Sequence, residues 1–277
     1  MKLSLRRFKF FFHSKYAMAL PVTFLILFVS TLSIVSFTYY FSVEKVNSQG
    51  QTLKVSTSKE SLISLNDEII STLGQPGSST TFDLSDSGGL IKIQPRSNVL
   101  TLNINGNSEV HDTIFNISIG KIIYELPYSS TAETGLYLSG DSRTIANQSG
   151  SSTSQLCIVQ GDEHPEIQLQ YRPTVTYAVA GEESGKAVNN IRVYIVNLNS
   201  SIEIALQGEL PLQISCIGTQ LESNNYQVSS AVGNLALTSV LNGVSGSVSI
   251  PISSTSEGAI IHIETVVSNV SIQRWIR

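Results

Sequence analysis

The hydrophobic pattern changes character three times along the chain. From Ala17 to Phe41 the sequence AMALPVTFLILFVSTLSIVSFTYYF is continuously apolar, with no charged side chain between Tyr16 and Val43. A helix of that length spans a hydrocarbon core of roughly 30 Å at about 1.5 Å per residue, so residues 17–43 are expected to cross a membrane. Its apolar stretch is longer than the 7 to 15 residues typical of a secretory signal peptide, which favours a retained anchor over a cleaved leader. Pro21 falls in the first turn, where a missing N–H costs little, and Tyr39 and Tyr40 lie at the far end, where amphipathic rings suit the headgroup level.

Residues 44–77 switch to a helical stripe. Val55, Leu62, Leu65, Ile69 and Leu73 recur at spacings of seven, three, four and four, with Thr57 and Glu60 at capping-box separation and Gly74 and Pro76-Gly77 as terminators. The clearest helix runs from about Ser58 to Leu73. Its apolar face is expected to pack either on the chain's own β-domain or on a neighbouring subunit.

Beyond Gly77 the period becomes two. Alternation marks strands over Val99–Asn105, Thr113–Ile119, Glu166–Tyr171, Ile191–Leu198, Ser201–Leu206, Leu212–Cys216, Ser247–Ile252 and Ala259–Thr265, separated by Gly, Pro, Asn and Ser clusters. Short strands with no helix between them predict an antiparallel sandwich or barrel over residues 78–277, in one lobe or in two divided near 146–154. The fold class is thus α+β: a membrane-spanning helix with a helical extension, then an all-β domain.

Composition sharpens this picture. Charged residues are 14% of the 277 and the net charge is -4. Lys2, Arg6, Arg7, Lys9 and Lys15 precede the apolar run, whereas Glu44, Lys45 and Lys54 follow it. The positive-inside rule therefore assigns residues 1–16 to the cytoplasm and residues 44–277 to the outside. No basic run interleaved with aromatics occurs later, so no nucleic-acid partner is expected.

Cys157 and Cys216 are the only cysteines. In an external domain they are a candidate disulfide, the alternative being two buried thiols acting as small hydrophobes. Asn116, Asn147, Asn199 and Asn269 each begin an Asn-X-Ser sequon, of which Asn147 and Asn199 fall best in loops. Chemistry is otherwise sparse. His13, His111, His164 and His262 are scattered without metal-ligand spacing, and Asp162-Glu163-His164 reads as a polar turn before Pro165. Gly243 to Ser247 lacks the strand-to-helix context of a nucleophile elbow and is expected to form a turn, and Gly88-Gly89 has no following helix to cradle phosphate. No catalytic, cofactor or metal site is assigned, and no small-molecule ligand is identified.

Arg6-Arg7-Phe8-Lys9, the hydrophobic run opening at Leu20-Pro21-Val22, the helical continuation and the junction Gly74-Gln75-Pro76-Gly77-Ser78-Ser79 together resemble the archaeal type IV pilin-like proteins, a group that includes minor pilins and relatives of archaellins. The resemblance covers about the first seventy residues. It implies cleavage on the cytoplasmic side of the apolar run after a small residue, with Ala17 and Ala19 as candidate processing positions, and bundling of the anchors with copies or with other pilin-like subunits. Here Tyr16 stands between Lys15 and Ala17, and no Glu occurs early in the run. The function expected is a non-enzymatic cell-surface structural subunit, the alternative a membrane-tethered binding or adhesion module.

Overall fold

A computed structural model describes residues 19–106, 110–127, 133–147 and 152–276. The basic segment 1–16 and Ala17 lie outside the described residues. Helix α1 (Ala19–Thr72) runs without interruption through the expected anchor and stalk. It is long and apolar enough to cross a membrane. The chain forms two units, one ending at Thr52 and one comprising Leu53–Arg277.

In the first unit the apolar side chains from Val22 to Phe41 are exposed. Three hydroxyls in this run bond their own helix: Thr31 Oγ1 donates to the Leu27 carbonyl at 2.6 Å, Ser33 Oγ to Val29 at 2.8 Å and Thr38 Oγ1 to Ile34 at 2.8 Å. Each of these three is thereby satisfied without solvent, as an apolar medium requires.

In the second unit α1 ends where the sequence supplies a stop. Gly74 has φ 76°, the left-handed conformation that closes a helix and that lacks steric cost only without a Cβ. Thr57 and Glu60, expected to cap a new helix, instead sit in the middle of α1, because nothing in Glu44–Ser56 breaks the preceding one.

Among the described residues fourteen strands follow: β1 (Ser79–Leu84), β2 (Leu90–Asn105), β3 (His111–Glu125), β4 (Tyr137–Ser139), β5 (Ala146–Asn147), β6 (Ser154–Gln160), β7 (Pro165–Tyr171), β8 (Thr174–Glu183), β9 (Lys186–Asn197), β10 (Ile204–Gln207), β11 (Leu210–Val228), β12 (Asn234–Leu241), β13 (Val244–Pro251) and β14 (Ala259–Arg274). They form two sheets. The first has the order β1-β11-β14-β9-β8-β5; the second has β13-β12-β2-β3-β7-β6-β4, with β10 pairing beside β2. The expected all-antiparallel pairing needs correction, since β14 lies parallel to β9 and β5 parallel to β8. Parallel neighbours require a long crossover, and the chain between β9 and β14 supplies it, with β10, β12 and β13 in the other sheet and β11 in this one.

Both sheets contribute to two hydrophobic clusters. One joins Ile91, Ile122, Leu156 and Leu169 of the second sheet to Leu212, Ile214 and Ile272 of the first, and also holds Val55, Leu62, Leu65 and Ile69 of α1, with Leu73 packed at its margin. The other joins Leu100, Leu102, Leu235 and Leu237 to Val193, Ile261 and Ile263. Strands β2, β3, β9, β11 and β14 supply both. The unit is therefore not cut near residues 146–154, and its two clusters lie along shared strands.

Candidate functional site

The helical stripe is the first place where sequence and structure meet. Leu62, Leu65 and Ile69 are fully buried in the chain's own β-rich unit, and Leu73 is partly buried against the same cluster. Of the two packings open to the stripe, this chain adopts the intramolecular one. Polar contacts reinforce it: Tyr171 Oη donates to Asn66 Oδ1 at 3.3 Å inside the core, and Thr80 Oγ1 donates to Glu68 Oε2 at 3.3 Å. Burial pushes the Tyr171 phenol well above its ordinary range, so it remains a neutral donor.

The expected Cys157–Cys216 bridge is not formed; both are buried free thiols. Leu156 and Ile158 take the inward positions of β6 and enter the cluster, so alternation turns Cys157 to the opposite face of its sheet. Cys216 belongs to the other sheet, on β11. Burial raises the pKa of the Cys157 thiol.

The sequons are dispersed. Asn116 is exposed on β3, where its Oδ1 accepts from Thr101 Oγ1 at 3.3 Å. Asn199 lies in the turn after β9, its amide N–H donating to Asn197 Oδ1 at 3.0 Å. Asn269 is half-buried on β14 and accepts from Asn197 Nδ2 at 3.2 Å. Asn147 ends β5, and the rest of its triplet lies outside the described residues. Ala19 opens α1, and Ala17 lies outside the described residues.

Asp162, Glu163 and His164 occupy the β6–β7 turn and border a polar concavity of about 610 Å³ with Lys92, Lys121 and Glu125. Lys92 and Glu125 form an ion pair there. Among the described residues, no group of three or more His, Cys, Asp or Glu side chains could hold a metal ion.

Two arrangements had no clear mark in the sequence. The first is a clamp on the loop after β4. Arg172, 0% exposed, donates through Nη1 to Asp141 Oδ1 at 2.5 Å and to the Arg143 carbonyl at 2.8 Å, and through Nε to the Ser152 carbonyl at 2.9 Å. Gln155 Nε2 adds bonds to the carbonyls of Asp141 and Arg143 at 2.7 and 2.8 Å. The Arg143 and Arg172 guanidiniums hold the Asp141 carboxyl far below the usual carboxylate range.

The second is the outer face of the first sheet. Register sets Thr176, Arg192, Glu264 and Ser223 in one row across β8, β9, β14 and β11, with Ala178, Asn190, His262 and Asn225 in the next. Arg192 Nε meets Glu264 Oε2 at 2.5 Å, and His262 Nδ1 lies 2.5 Å from Asn225 Oδ1. With Tyr194 they line a shallow concavity of about 690 Å³. The polar positions of β9 and β14 are legible as alternation with Ile and Val; what the sequence hides is that those two strands are neighbours.

Compared with known proteins, the chain matches no family model, no curated protein and no solved structure.

Proposed function

We propose that this chain is a non-enzymatic cell-surface structural subunit of pilin-like organisation, held in the cell membrane by α1 with residues 1–16 in the cytoplasm and the β-rich unit outside. The observation that carries the reading is the division of labour within one helix. The part before Thr52 exposes a long apolar run to its surroundings, while the part after Leu53 is built into the core of the β-rich unit. Because Leu62, Leu65 and Ile69 are committed to that core, the stripe is not open to other subunits, and the continuous apolar surface of α1 lies in its earlier part. The two sheets, which share their interior clusters, fit a β-sandwich.

The test is the behaviour and mass of the chain recovered from its own membranes. It should resist alkaline extraction and lack the residues before Ala17 or Ala19. An intact N-terminus would leave a plain tether in place of a pilin-like subunit, and loss of the whole apolar run would overturn anchoring.

A second reading, a membrane-tethered binding or adhesion module, is favoured by the outer face of the first sheet. Planar amides, an imidazole, an ion pair and the Tyr194 ring there offer donors, acceptors and a stacking surface for a hydroxyl-rich ligand such as a glycan. Glycan-array binding that disappears in Tyr194→Ala and Asn225→Ala would support it, and no binding by the wild type would dismiss it.

A further inference from the structure

Open sheet edges invite pairing, and folded proteins blunt them with charges, bulges, proline or brevity. Most open stretches here carry such a device. Strand β1 carries Asp83 near its end, and β4, β5 and β10 have four residues or fewer. The open part of β8 has a register shift between Val179 and Gly181 and then Glu182. The open part of β11 begins at a register shift between Cys216 and Gly218 and carries Glu222. The open part of β3 carries Asp112 and Lys121.

Strand β13 differs. It ends the second sheet, runs for eight residues in unbroken register with β12, and has no other partner strand among the described residues. Its sequence, VSGSVSIP, lies in an uncharged stretch from Ser223 to Ser256. Its sole blunting feature is Pro251, the last residue.

The direction of its backbone groups follows from the hairpin turn. Asn242 and Gly243 have φ 51° and 78°, the left-handed pair of a two-residue turn of the I′ kind, so Leu241 and Val244 form a hydrogen-bonded pair. Counting by twos, Val244, Gly246, Val248 and Ile250 bond to β12, and Ser245, Ser247 and Ser249 point their N–H and C=O groups to the open side.

We infer that β13 pairs antiparallel with β13 of a second copy of this chain, about a two-fold axis at Ser247, joining two sheets into one. This register matches each outward serine with an outward serine: Ser247 with Ser247, and Ser245 with Ser249. It also sets Val244, 59% exposed on the face shared with the core, opposite the other copy's Ile250, and Gly246 opposite Val248. Large faces large at one pair and small faces large at the other. No like charges meet, and the same patch serves both copies, as a two-fold interface requires. The inference does not depend on the membrane reading.

The test uses the full chain in detergent. Light scattering should give the mass of two chains for the wild type, and Ser247→Lys should weaken the dimer at least severalfold while leaving circular dichroism and thermal unfolding unchanged, since lysine is a common guard of edge strands. Ser247→Cys should cross-link to itself on oxidation, because Cα atoms of a hydrogen-bonded pair lie about 5.5 Å apart, within the disulfide range. Ser245→Cys alone should not, its mate lying roughly 14 Å away by strand rise, but mixed with Ser249→Cys it should. A wild-type mass of one chain overturns the inference. So does a dimer untouched by Ser247→Lys, which would be held by the anchors, or self-linking of Ser245→Cys in place of Ser247→Cys.

Discussion

Replacing Leu65 with Ala measures how strongly α1 is built into the β-rich unit. Leu65 is 0% exposed and sits in the cluster with Leu62, Ile69, Tyr171 and the inward residues of both sheets. Removing its branched end from such a site forfeits the transfer free energy and leaves a cavity, a cost of about 2 to 5 kcal/mol. For a unit of this size that corresponds to a fall in Tm of roughly 4 to 20 °C. The assay is urea unfolding of a fragment beginning at Leu53, followed by far- and near-ultraviolet circular dichroism, with Leu53→Ala as the control. Leu53 is 68% exposed, and its truncation should shift stability by less than about 0.5 kcal/mol. A Leu65→Ala loss no larger than that of Leu53→Ala would refute intramolecular packing of the stripe. The same reasoning predicts that a fragment begun at Ser78 will not hold its fold. It lacks four buried side chains of one cluster, and their combined loss rivals the roughly 5 to 15 kcal/mol that stabilises a typical domain.

The Arg172–Asp141 clamp makes stability acid-sensitive. Asp141 titrates below its unfolded value, so its contribution is present above about pH 4 and lost as pH falls below that; Asp141→Asn should flatten this limb of a stability–pH curve. Arg172→Ala, which strips the clamp and opens a cavity at a buried position, should cost roughly 3 to 5 kcal/mol by chemical denaturation. Both thiols should resist maleimide in the native chain and react in denaturant without reductant; failure to label there would restore the disulfide.

The long apolar helix and the stripe were legible because each is a local pattern: an uncharged apolar run, and Val55, Leu62, Leu65, Ile69 and Leu73 at helical spacing, ended by Gly74. What the pattern could not say was what lies against the stripe, since an apolar face is the same whichever surface covers it. The join between the two helical segments was hidden for a related reason. Residues near Gln49-Gly50-Gln51 carry no periodicity, and the helix persists there through continuity alone. Alternation located parts of β2, β3, β7, β9, β10, β11, β13 and β14, but it says nothing of pairing. Hence the parallel contact of β9 with β14 was unforeseen, and with it the row of Arg192 and Glu264. Cys157 and Cys216 illustrate the same gap: two strand cysteines are a pair only if their strands and faces meet, and Leu156 and Ile158 turn Cys157 away. The turn expected over Gly243 to Ser247 is shorter in the structure, where Asn242-Gly243 makes it and Val244 already pairs with Leu241.

The most direct test of the proposed organisation is protease accessibility in right-side-out membrane vesicles, with one epitope fused ahead of Lys2 and another after the last strand. The expected result is digestion of the C-terminal epitope and survival of the N-terminal one until detergent is added. Digestion of the N-terminal epitope in sealed vesicles, or recovery of the uncleaved chain in the soluble fraction, would contradict it.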